Sequence, residues 1–233
     1  MKIFLLTSIF ILSFVKIGSG QFGVSYEIRR AFELYNTSKI ISGSAKSTLF
    51  EVDYTGSPYL NDEFVIGSIY SVQRIQYEEV PLRYNIYNDE LEFKSPTEEI
   101  LALASPDIVE KAVIGDTTLV YLPFLLANKT KKGFFIILEE GKVSLYAKPD
   151  VFLKPATQPG AYKDPEPPKY VRKSDEYYLK TETGQAQLIA NKKELFAAFP
   201  DNRDKIDNYI SKNKIKINKP ESLIELVKYY NSL

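Results

Sequence analysis

The chain has 233 residues, 30 basic and 30 acidic groups, and neither cysteine nor histidine. Those absences exclude Ser-His-Asp and Cys-His nucleophile systems, an imidazole base, and zinc held by His and Cys. What remains is carboxylate chemistry, a Ser-Lys pair, or oxygen-ligated calcium and magnesium, while the balanced charge offers nothing to nucleic acid or to an anionic membrane surface.

Residues 1–20, MKIFLLTSIFILSFVKIGSG, begin with Lys2, continue as an apolar run from Ile3 to Val15 and end in Gly18-Ser19-Gly20. This is the layout of a secretory signal peptide, with cleavage expected after Gly20. The thirteen-residue run is too short to cross a hydrocarbon core of roughly 30 Å as a stable helix. No cysteine lies near the cut to accept a lipid, so the expectation is an exported protein, periplasmic or extracellular and not a lipoprotein. No transmembrane span remains after cleavage. The mature chain carries 28 basic against 30 acidic groups. Residues 21–55 form an N-terminal segment in which VSYEIRRAFELYNTSK predicts partial helix. Asn36 and Asn128 open glycosylation sequons.

Residues 56–233 read as one β-rich domain. FVIGSIYSVQRIQYEEV predicts strands, and PLRYNIYNDELEFKS predicts a hairpin turning on Asn88-Asp89, with Tyr84 opposite Phe93 and Asn85 opposite Glu92. Leu82, Tyr84, Ile86, Leu91 and Phe93 then share an apolar face; Arg83, Asn85, Tyr87, Glu90, Glu92 and Lys94 share a polar one. Tyr87, Glu90 and Glu92 are candidate ligand-binding residues on that polar face, though alternation of this kind needs only water on one side. EILALAS adds a strand, and KAVIGDTTLVYLPF a hairpin around Gly115-Asp116, with Pro123 marking an edge or bend.

GFFIILEEGKVSLYAKP predicts a hairpin on Glu140-Gly141 that is apolar on both faces. Strands of that kind are covered on both sides, and the C-terminal helices are expected over the face bearing Phe135, Ile137 and Tyr146. If the space there stayed open, those three residues would line an apolar ligand site. Residues 148–170 hold six of the thirteen prolines and predict an extended strap, anchored by Val151, Phe152, Leu153, Tyr162 and Tyr170. A late hairpin (176–190) turns on Thr183-Gly184 with Leu179 opposite Leu188.

From 191 onward the period becomes helical. Asn191 and Glu194 have capping-box spacing, Pro200-Asp201 breaks the first helix, Ile206, Tyr209 and Ile210 mark a second, and Leu223, Leu226, Val227 and Tyr230 form the buried stripe of a third. The predicted fold is therefore α+β, mainly β: a meander-like antiparallel sheet of about 8–10 strands with three short C-terminal helices packed on it. Ser211 and Lys214 match a Ser-x-x-Lys spacing without any companion motif, and Asp201, Asp204 and Asp207 lack the glycine-bearing loop of a calcium site. No cofactor or metal site is expected.

From about Gly56 to Leu233 the segments GSPYLNDEF, VPLRYNIYNDELEF, GFFIILEEGKVSLYAKP, PGAYKDPEPPKY, NKKELFAAFPD and LVKYYNSL together resemble a family of uncharacterised exported proteins of Gram-negative bacteria. The resemblance implies an envelope or secreted location and brings no catalytic residue. The expected function is a non-catalytic envelope protein that binds a partner protein or ligand. The alternatives are a carrier holding an apolar small molecule between sheet and helices, and a carboxylate-dependent enzyme acting on glycans.

Overall fold

Alternating apolar and polar residues, broken by turn-forming pairs, dictate a succession of hairpins, and the computed structural model contains them. It describes residues 54–95, 98–127, 129–158, 164–199 and 201–233. The predicted signal segment, the predicted N-terminal helix, both sequon asparagines and Tyr162 lie outside these. The strands are β1 (Val65–Ser71), β2 (Gln76–Asn85), β3 (Glu90–Lys94), β4 (Ile100–Ala102), β5 (Val109–Ile114), β6 (Thr117–Leu126), β7 (Lys129–Glu139), β8 (Val143–Lys148), β9 (Val151–Lys154), β10 (Lys169–Arg172), β11 (Glu176–Thr181) and β12 (Gln187–Leu188). The helices are α1 (Lys192–Ala197), α2 (Arg203–Asn213) and α3 (Pro220–Asn231). Ten strands make one antiparallel sheet in the order β12-β11-β8-β7-β6-β5-β1-β2-β3-β4, and β9 and β10 form a separate ribbon. The protein is α+β and mainly β.

The registers show where turn chemistry ruled and where it did not. Ile114 pairs with Thr117 across Gly115-Asp116, as the sequence predicts; Gly115 takes φ 55°, a conformation that costs glycine little. The β2–β3 hairpin instead uses the longer loop Ile86–Asp89, so Tyr84 faces Leu91 and Arg83 faces Glu92. That shift of two residues keeps both faces intact. On β7–β8 a bulge follows Ile137, and Ile136 faces Ala147. The β11–β12 register differs from expectation by one: Leu179 faces Gln187, and Tyr178 faces Leu188. Leu188 therefore turns to the opposite face from Leu179. Pro123 sits where β6 has run past β5. Its carbonyl accepts the Ala186 N–H at 3.1 Å, and its absent N–H costs nothing on that side.

Two oppositely directed curls divide the sheet into three cores. In the first curl, Leu82 and Tyr84 of β2, Leu91 and Phe93 of β3, Ala112 and Ile114 of β5, Leu119 of β6 and Phe134 of β7 share one interior. The curl is tight enough to bring the Tyr84 and Phe134 rings within 5.8 Å, although three strands separate theirs in the sheet. In the second curl β6 bends back to β12 through the Phe124–Ala186 bridge. This encloses Val120, Phe124, Phe135, Tyr146 and Tyr178. The helices pack on Val143, Leu145 and Leu179. They thus cover the other face of β8 and β11 from the one expected, because the Phe135 face closes on itself.

The helical segment follows its sequence closely. Asn191 Oδ1 accepts the Glu194 N–H at 3.0 Å, and Glu194 Oε2 accepts the Ala190 N–H at 2.7 Å, a capping exchange displaced by one residue. Leu223, Leu226, Val227 and Tyr230 of α3 are all buried, as are Ile206 and Ile210 of α2. Asn231 ends α3 against the β7–β8 turn, its amide bonding both the N–H and the carbonyl of Val143 at 3.0 Å.

Asp89 joins the two curls. Its φ of 55° turns the carboxylate inward. Oδ1 accepts the Tyr84 hydroxyl at 2.7 Å and the Phe134 N–H at 3.1 Å, while Oδ2 meets Lys148 Nζ at 3.0 Å. Lys148 also donates to the Phe134 carbonyl and lies over the Phe135 ring. Burial first, and then the Asp89 charge, hold the Tyr84 phenol well above its ordinary pKa; burial and Glu176 do the same for Tyr178. Both stay protonated in the folded chain after an unfolded tyrosine would ionise, near pH 10. The contribution of these two phenols to stability should therefore be level up to about pH 10 and fall above it. Urea midpoints measured across that range should fall less steeply for Tyr84→Phe than for the wild type.

Candidate binding surface

Residues 54–64 run across the start of the sheet and tie the β2–β3 hairpin to the ribbon. Leu60 donates to the Tyr84 carbonyl at 3.0 Å, and the Ile86 N–H donates to Pro58 at 2.8 Å. Thr55 lies parallel to β10, donating to Pro168 at 3.0 Å and accepting from the Tyr170 N–H at 2.8 Å. Gly56 makes this approach possible: at φ 74°, an added Cβ would stand 2.2 Å from the Tyr170 carbonyl oxygen. The outcome gathers four tyrosines from three separate segments. The Tyr170 ring lies 5.6 Å from Tyr54 and 5.3 Å from Tyr87, edge-on to the latter, and Tyr59 stands close enough to bear on its phenol.

Tyr54 is 50% and Tyr87 45% exposed, so the cluster presents a broad aromatic face to solvent. Partial burial, reinforced by the neighbouring phenols, raises the Tyr170 pKa.

Beside it the Arg83 guanidinium lies 3.6 Å from the Tyr59 ring centroid and 4.3 Å from that of Phe64. It bonds Glu92 Oε2 at 2.7 Å and the Asp62 carbonyl at 3.0 Å. Asn85 Nδ2 supplies a bond of 2.9 Å to the other Glu92 oxygen. A charged group that is paired, bonded and stacked in this way is held in place. The polar face of the hairpin, expected to be wet, is covered here by residues 59–64, and both Asn85 and Glu92 are buried.

The six candidate residues therefore divide three ways. Tyr87 belongs to the tyrosine platform. Glu90, half-buried, accepts a 3.3 Å bond from Asn88 Nδ2, and Glu92 is committed to Arg83 and Asn85. Phe135, Ile137 and Tyr146 are gathered in the second curl, where the Phe135 ring lies 5.2 Å from Phe124, 5.0 Å from Tyr178 and 6.2 Å from Tyr146. Those rings pack against their own chain. Ser211 and Lys214 are both exposed, with Lys214 in the left-handed cap of α2. Asp201 accepts the Tyr230 hydroxyl at 2.6 Å. Among the described residues no group of three or more acids is spaced to hold a metal. Sequence reasoning missed Tyr54, Tyr59 and Tyr170 as partners of Tyr87 because no local pattern links three segments that only the ribbon brings together. No family model, curated protein or solved structure matches the chain.

Proposed function

We propose that this chain is an exported, non-catalytic binding protein of the bacterial envelope that captures a protein partner on the tyrosine platform. The observation that carries this reading is the exposed ring cluster Tyr54, Tyr87 and Tyr170 on a hydrogen-bonded frame. Tyrosine offers a large contact area and a polar tip with few rotatable bonds, which is why it is enriched in interface cores. Rings already braced against one another lose little further freedom on binding. Two acids beside the platform are engaged within the chain, Glu90 by Asn88 and Glu92 by Arg83 and Asn85, and the reading assigns recognition to the phenols. The apolar-carrier reading draws no comparable support, since Phe135 and Tyr146 are in ring contact with each other.

The test is photo-crosslinking in the producing cell, with a photoreactive side chain at position 87 or, as a control, at the exposed edge residue Ile100. The expected result is a discrete protein adduct from position 87 alone, lost when Tyr54 is changed to Ser. The same adducts from both positions, or none from position 87, would overturn the proposal. So would hydrolytic turnover that a single carboxylate substitution abolishes.

A further inference from the structure

The near-neutral charge of the whole chain hides a local imbalance. From Thr117 to Leu138, the β6–β7 hairpin contains three lysines and no acid. All three, Lys129, Lys131 and Lys132, lie on the outer half of β7. Across from them β6 ends in Leu125 and Leu126, 39% and 38% exposed. Leu125 pairs with Thr130, and Leu126 with Lys129. Because successive strand residues point to opposite faces, each face of the tip carries one leucine.

Lys132 pairs with Asp107, whereas Lys129 and Lys131 have no ion-pair partner among the described residues. The tip is braced rather than loose: the Leu125 N–H donates to the Ala186 carbonyl at 3.2 Å, and Thr130 Oγ1 meets the Gln185 amide at 3.3–3.4 Å. In the adjoining β11–β12 turn the Glu182 backbone carbonyl accepts from Lys180 Nζ at 3.3 Å.

We propose that this tip seats the protein on an anionic phospholipid bilayer, with Leu125 and Leu126 entering the headgroup boundary and Lys129 and Lys131 meeting lipid phosphates. Apolar residues at an apex, flanked by lysines with no ion-pair partner among the described residues, match the two attractions that hold a protein on such a surface: burial of apolar area and charge against anionic headgroups. A protein partner would have little use for leucines on both faces of the apex, whereas a bilayer surrounds an inserted tip. The tyrosine platform belongs to a different part of the fold, so this inference stands or falls independently of the one above.

The experiment is flotation of the mature chain with vesicles of phosphatidylglycerol and phosphatidylcholine, or of phosphatidylcholine alone. Binding is expected to the anionic vesicles and to weaken with salt. Lys129→Gln with Lys131→Gln should lower the partition coefficient roughly 30-fold, about fivefold for each charge. Leu125→Asn with Leu126→Asn should abolish binding, while Tyr54→Ser with Tyr87→Ser should bind as wild type does. Because the chain has no cysteine, Leu126→Cys can carry a single environment-sensitive fluorophore. Its emission should shift to the blue on anionic vesicles, and that of a label at Ile100→Cys should not. Equal binding to both vesicle types, tip variants that bind like wild type, or an unshifted label at position 126 would each overturn the proposal.

Discussion

Replacing Phe135 by alanine should destabilise the protein by about 3–5 kcal/mol, the usual cost of deleting a fully buried aromatic ring. Phe135 has no exposed surface and touches the Phe124, Tyr146 and Tyr178 rings. Removal therefore forfeits ring–ring contacts on three sides and leaves a void that strands cannot collapse to fill. Urea or thermal unfolding would measure it. The outcome also bears on the carrier reading. A residue lining an open ligand space would lose little stability when truncated, so a cost below about 1 kcal/mol would reopen that possibility.

Replacing Asp89 by alanine should cost about 2–4 kcal/mol, by removing one acceptor from three donors at once. The Tyr84 hydroxyl, the Phe134 N–H and the Lys148 ammonium all converge on its two oxygens. Tyr84 is nearly inaccessible to water, so its hydroxyl would have no replacement partner and its desolvation would go uncompensated. Asp89→Asn separates the contributions. Asparagine tolerates the left-handed backbone and retains an oxygen for Tyr84, but gives up the charge facing Lys148. It should fall between wild type and Asp89→Ala in unfolding free energy. Equal losses for the two variants would place the cost in the ion pair; no loss for either would mean that the curls hold without this hub.

How much of this was legible beforehand depended on whether a feature was local. The two-residue rhythm of Leu82, Tyr84 and Ile86 against Leu91 and Phe93 gives the first core, because side-chain direction survives a shift of two in register. The helical stripe of α3 and the cap at Asn191 follow from spacing along a single segment. The curl was not legible. No property of GFFIIL alone says whether its Phe135 face meets helices or bends until Phe124 and Ala186 close over it, and both solutions bury the same residues. The late hairpin slipped by one for the same reason: Ala186 is drawn to β6 by backbone bonds that the β11–β12 turn does not encode. The Pro-rich segment reads from composition as an extended strap, and its described residues form a two-stranded ribbon. Val151 and Tyr170 anchor its base in the first core, while Phe152 remains 40% exposed. Tyr87 was identifiable as an aromatic on the polar face of the hairpin, but its companions come from positions 54, 59 and 170.

The placement of β1 between β5 and β2 orders events during folding. Most neighbouring strands are joined by short turns and can pair as soon as their segments exist, whereas Gly67 must find Ile114 at a separation of 47 residues. Closing that loop costs more chain entropy than forming any adjacent hairpin, and contacts of this range slow the search for the native topology. At Gly67 the Val113 carbonyl oxygen occupies space that any side chain would need, 2.1 Å from where a Cβ would stand. Gly67 thus lies in one of the two seams of the sheet that cannot zip from a turn, the other being β8–β11, and there backbone shape decides whether two independently formed meanders become a single sheet.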